Sequence, residues 1–140
     1  MVLSQEDRSG RLIGAAIEVH RTIGPGFVES VYENALAIEL TQRGIPFVRQ
    51  VNVPIHYHGV EVGRHVLDLF VEDQLVVELK TVKRLEDIHF AILRSYLKAA
   101  RREVGLILNF AQPTLDIKRV ISTPAPESTV SGSALPCFPR

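Results

Sequence analysis

From Val66 to Val71 the chain is apolar except for Asp68, and after the polar turn Glu72-Asp73-Gln74 it resumes as Leu75-Val76-Val77-Glu78-Leu79-Lys80. Nothing else in the sequence constrains the fold as tightly. Side chains alternate faces along a strand, so Glu78 and Lys80 project from one face and Leu75, Val77 and Leu79 from the other. Strands this apolar belong inside a sheet, where an unpaired charge is expensive. The chain nevertheless places an acid on the first strand and an acid and a lysine on the second. Two carboxylates beside a lysine suit a hard divalent cation with a charged helper. The plainer alternative is one acid held in a structural ion pair with Lys80, but buried pairs are rarely net stabilising.

The remaining elements fall around this pair. Ser4 followed by Asp7 predicts a helix cap, and Ile13, Ala16, Ile17 and His20 recur at helical spacing to about Thr22. Gly24-Pro25-Gly26 breaks that helix, and a second runs from about Val28 to Arg43, with Gly44 as its stop. Phe47 to Tyr57 reads as a strand, and Pro54 inside it predicts an edge or a bulge. Leu85 to Ala100 is helical, and Val104–Phe110 and Leu115–Ile121 are strands. The predicted order is ααβββαββ, an α/β arrangement with a central mixed sheet flanked by helices. Residues 1–121 are expected to form one domain. The Pro- and Ser-rich stretch 122–140 is expected to be a disordered tail.

Within the second helix Glu29 shares a face with Tyr32, Glu33, Leu36 and Leu40, so the apolar leucines draw it inward. As a first-turn acid it also suits the helix dipole without any further role. Tyr96 shares a face with His89, Ile92, Leu93 and Ala100, which is equally the pattern of a core tyrosine.

The spacing of Asp68 and Glu78-Leu79-Lys80 resembles the core motif of the PD-(D/E)xK nuclease superfamily. Upstream, Gly26-Phe27-Val28-Glu29-Ser30-Val31-Tyr32 reads G-x-x-E-x-x-Y, the signature of the GxxExxY protein family, a branch of that superfamily. Ser95-Tyr96-Leu97-Lys98-Ala99 and Gly105-Leu106-Ile107-Leu108-Asn109-Phe110 resemble the same family, and the match spans roughly Ile13 to Ile121. Many members of the family carry Gln four residues before the corresponding helical tyrosine, where this chain has Ile92 before Tyr96. The resemblance implies a restriction-endonuclease-like core. It implies Mg²⁺ or Mn²⁺ held by Asp68, Glu78, the Leu79 carbonyl and Glu29, with Glu29, Asp68, Glu78 and Lys80 as the catalytic set. Tyr32, Tyr96 and His89 are expected to support that set from behind.

Sixteen basic residues balance sixteen acidic ones, so no global field attracts a polyanion and any nucleic-acid contact needs a local patch. Lys83, Arg84, Arg94, Lys98 and Arg101 are the candidates, although a solvated face is the usual meaning of such a stripe. His56 and His58 share a strand face, but no third ligand has a zinc-like spacing. The single Cys137 excludes an intrachain disulfide and fits a cytoplasmic protein. No apolar run is long enough for a membrane helix. The expectation is a metal-dependent nuclease acting on DNA or RNA, with a homodimer as an analogy-based expectation. The alternative is a non-catalytic module of the same fold that binds a protein or nucleic acid.

Overall fold

The computed structural model describes residues 4–123. Its elements are α1 (Gln5–Ile23), α2 (Glu29–Gln42), β1 (Phe47–Tyr57), β2 (Val60–Val71), β3 (Leu75–Lys80), α3 (Asp87–Ala100), β4 (Val104–Asn109) and β5 (Asp116–Ile121). The strands form one five-stranded sheet in sequential order. β3 and β4 are parallel, joined by the α3 crossover, and every other neighbouring pair is antiparallel. The predicted element order and mixed sheet are those of the structure. The expected tail lies outside the described residues from position 124 onward. Ser122 itself is buried, and its backbone amide donates to Glu103 O at 2.8 Å.

The alternation read from β3 divides the core in two. Leu75, Val77 and Leu79 pack with Leu69, Leu106 and Leu108 beneath α1 and α2, which contribute Leu12, Ala16, Tyr32, Leu36 and Leu40. Val76 and Ile107 face the other way, onto Leu93 and Leu97 of α3. Glu78 and Lys80 share parity with Val76 and therefore belong to the α3 side.

Ser4 caps α1 by accepting the Asp7 amide at 3.1 Å, as the sequence predicts. The α1–α2 turn needs positive φ at Gly24 (78°) and Gly26 (113°), conformations that cost other residues steric strain. Tyr32 then locks the turn. Its hydroxyl donates to Gly24 O at 2.6 Å and accepts from the Phe27 amide at 3.2 Å, while its ring stacks on Phe110 at 4.5 Å.

β1 is an edge strand with a register shift between Ile55 and His56, which accommodates Pro54. The β1–β2 pairing also passes over Gln50 and Asp68, and Gln50 has left-handed backbone (φ 52°). Leu69 lies in the α1–α2 core but Leu67 in the α3 core, although they share strand parity. The change of side coincides with the Gln50 kink, and past it the ribbon curls over α3.

Candidate active site

Three ladder pairs join β2 to β3, Leu69–Val77, Phe70–Val76 and Val71–Leu75. One step further, the same register sets Asp68 across from Glu78. There the two strands part, and β3 continues beside β4 through Glu78–Ile107 and Lys80–Asn109. Asp68 takes over at the fork: its Oδ2 accepts the Leu79 amide at 2.9 Å, in place of a ladder carbonyl. The acid is therefore both a charge and the end of a hydrogen-bond ladder.

Glu78 is only 7% exposed, and its Oε1 has no hydrogen-bond partner among the described residues. Burial, and next the Asp68 charge, push its pKa to about 8; the Lys80 ammonium and the Asp68 amide pull the other way, and Glu29 adds to the rise. Burial also raises Asp68, against its bond to the Leu79 amide; Glu33 adds to the rise and Lys80 opposes it. Glu29 lies at the solvent rim, largely exposed at the start of α2. Partial desolvation raises its pKa, Lys80 opposes this, and Asp68 and Glu33 reinforce it. Glu29, Asp68, Glu78 and Lys80 thus share one electrostatic field, although they come from α2, β2 and β3. Among the described residues, no three His, Cys, Asp or Glu side chains close into a preformed metal cage. The facing pair is Asp68 and Glu78, with Glu29 beside them at the rim.

The pair fits a hard cation chemically. Two clustered carboxylates, one with an orphaned buried oxygen, supply anionic oxygen ligands, the donors such ions prefer. Like-charge repulsion and burial are the costs that a divalent ion would offset.

α3 closes the site from its side. Glu78, Lys80, His89, Ile92, Leu93 and Ile107 line one cleft. His89 Nδ1 accepts the Glu86 amide at 2.8 Å in the capping box of α3, which fixes its ring. Tyr96 lies near enough to Glu78 and Asp68 that, after burial, their charges hold its hydroxyl pKa up. Tyr32 is fully buried, with its hydroxyl committed to the turn before Glu29. Of the basic candidates, Lys83 and Arg84 are exposed just beyond Lys80. Arg94 and Lys98 are exposed on the helix surface, whereas Leu93 and Leu97 are buried. Arg101 is the exposed C-cap of α3, at φ 53°.

Three contributors escaped the sequence reading. Buried Asn109 accepts the Val82 amide at 3.1 Å and donates to Val82 O at 2.9 Å, pinning the chain as it leaves Lys80. Glu33 receives Arg49 and Gln50, the latter at 2.7 Å, tying α2 to the kink in β1. His65 stacks on Tyr96 with ring centroids 3.3 Å apart and 14° between planes. Strand alternation assigns His65 to the face opposite Asp68; the kink at Gln50 brings it round to α3. No local sequence signal marks that reversal.

A family model for the PD-(D/E)XK nuclease superfamily matches residues 6–120. No curated protein and no solved structure matches the chain.

Proposed function

Since this chain belongs to the PD-(D/E)XK nuclease superfamily, we propose that it is a metal-dependent nuclease that hydrolyses phosphodiester bonds at the Asp68–Glu78–Lys80 fork. The observation that carries the reading is Glu78. A carboxylate 7% exposed, with an orphaned oxygen and a second carboxylate opposite, makes little sense as a structural device. It makes sense as half of a cation site.

Asp68 and Glu78, with the Leu79 carbonyl, would hold Mg²⁺ or Mn²⁺, and Glu29 would complete the set from the rim. Such an ion supplies water activation and charge neutralisation at phosphate. Lys80 draws in the phosphate and stabilises charge developing on its oxygens. Water oxygen bonds to phosphorus and gives up a proton, the ester P–O bond breaks, and the departing alkoxide takes up a proton by way of solvent, so that the two transfers balance. Asn109 keeps Lys80 aligned by holding Val82. Lys83 and Arg84, next along the chain, extend positive charge toward the flanking phosphates. Pairing of two copies to cut two strands belongs to the same proposal and is checked by sedimentation.

The test is incubation of labelled DNA and RNA with Mg²⁺, Mn²⁺ or EDTA, beside Asp68→Asn. Asparagine keeps an acceptor for the Leu79 amide while removing the charge. Cleavage by wild type that requires metal and is lost in Asp68→Asn is the expected result. A second reading, a non-catalytic module that binds a protein, is favoured by the zero net charge. Intact DNA and RNA in both metals would select it.

A further inference from the structure

We propose that His89 contacts the substrate at this site, donating a hydrogen bond from Nε2–H to a non-bridging oxygen of the scissile phosphate beside Lys80. The proposal rests on the phosphodiesterase reading above. Its first ground is position. His89 lines one cleft with Glu78, Lys80, Ile92, Leu93 and Ile107. The cleft opens to solvent, since Ile92 is 37% exposed and Lys80 and His89 are only half-buried. Its free space suits an oxygen-sized guest rather than a base or a sugar. The second ground is the ring's tautomer. The Glu86 amide donates to His89 Nδ1 at 2.8 Å across the first turn of α3, so the lone pair of that nitrogen is taken. The ring's proton therefore sits on Nε2, which is left as a donor.

The lining selects the acceptor. The side chains of Ile92, Leu93 and Ile107 offer no hydrogen bond. Glu78 is the one acceptor side chain of the lining, and in the scheme above it is committed to the cation. Lys80 and His89 are then two donors on the same small space, and their acceptor has to come from the substrate. An ammonium beside an N–H favours an anionic oxygen over a neutral one. A non-bridging phosphate oxygen carries that charge and has the right size. The family resemblance implies a supporting place for His89 behind the catalytic set, whereas the cleft puts it in front, next to Lys80. The Glu86 amide holds the ring at its Nδ1 end, so the donor is in place before the substrate arrives.

Two substitutions separate this role from helix capping. His89→Asn sets its amide oxygen near the place of Nδ1, so it keeps an acceptor for the Glu86 amide but ends short of Nε2. His89→Gln carries an amide N–H to nearly the place of Nε2. Cleavage of a labelled oligonucleotide is followed in Mn²⁺, and binding of a 5′-phosphorylated oligonucleotide by fluorescence anisotropy in Ca²⁺. Thermal melts monitor the fold, and calorimetric titration reads Mn²⁺ affinity. His89→Asn should melt close to wild type, because the cap is kept, and bind Mn²⁺ as wild type does, because His89 is not a ligand. It should nevertheless lose roughly ten- to a hundredfold in kcat/KM and bind the oligonucleotide more weakly. His89→Gln should recover much of both. The assignment is overturned if His89→Asn cleaves and binds as wild type does, which would leave His89 a capping residue, or if a folded His89→Gln is as impaired as His89→Asn. It is overturned equally if Mn²⁺ affinity falls in step with cleavage, which would assign His89 to Glu78 instead of the substrate. Wild-type protein that leaves DNA and RNA intact in both Mg²⁺ and Mn²⁺ would instead sink the phosphodiesterase reading, and this assignment with it.

Discussion

Glu78 sets the most direct expectation for single residues. Its folded pKa of about 8 lies above the ordinary value of 4.5, so the folded state holds a proton that the unfolded state has released. Stability is then greatest below the unfolded value and is lost as pH rises through the folded one. His65 acts oppositely but only around and below 6.5, its ordinary value. The metal-free protein should therefore lose stability between about pH 6.5 and pH 8, by on the order of 1–3 kcal/mol. Urea unfolding in EDTA across that range measures the slope, and Glu78→Gln should flatten it. A slope of the opposite sign would remove the case for a protonated, buried Glu78. Lys80→Ala separates chemistry from metal binding. The ammonium is not a ligand in the scheme, so metal binding should survive while cleavage falls by roughly two to three orders of magnitude. Calorimetric titration with Mn²⁺ beside a cleavage assay reads both, and equal loss of the two would give Lys80 a structural role instead.

Among elements, α2 depends on one side chain for its entry angle. Tyr32 satisfies Gly24 O and the Phe27 amide together, and Glu29 begins the helix two residues after Phe27. Tyr32→Phe should cost about 1–2 kcal/mol, because two backbone groups lose their partner while the stack on Phe110 remains. It should also reduce cleavage, by less than Glu29→Ala does. Denaturant melts and rate measurements on the two variants check this, and full activity in Tyr32→Phe would detach the turn from the site. The β1–β2 ribbon makes the complementary point. Its alternation reads correctly from Phe70 to Val71 and along all of β3, where ladder pairing is regular. It misreads His65, because the left-handed Gln50 interrupts the pleat and Glu33 holds Gln50 from another element.

On the scale of the whole molecule, the site is a meeting of elements far apart in sequence. α2 brings Glu29, the parted end of the β2–β3 ladder brings Asp68, Glu78 and Lys80, and α3 brings His89 and Tyr96. Metal binding should consequently stabilise the entire fold. At a free concentration a hundred times its dissociation constant, an ion bound only by the folded state adds about 2.7 kcal/mol. Thermal melts with millimolar Mn²⁺ should shift upward for wild type and hardly at all for Asp68→Asn. An equal shift in the variant would locate the ion elsewhere. The sequence by itself determined the element order, the division of β3 between two faces, and the identity of Asp68, Glu78 and Lys80 as the charges to explain. These are local or period-two properties, written in the chain wherever the pleat is regular. Only the tertiary structure decided that β2 and β3 part at Asp68, that Glu29 stays at the rim, and that His65 faces α3. Each of these depends on long-range contacts: the continued β3–β4 pairing, the Tyr32 lock on the α1–α2 turn, and the Glu33–Gln50 tie that bends a strand and reverses the side its residues face.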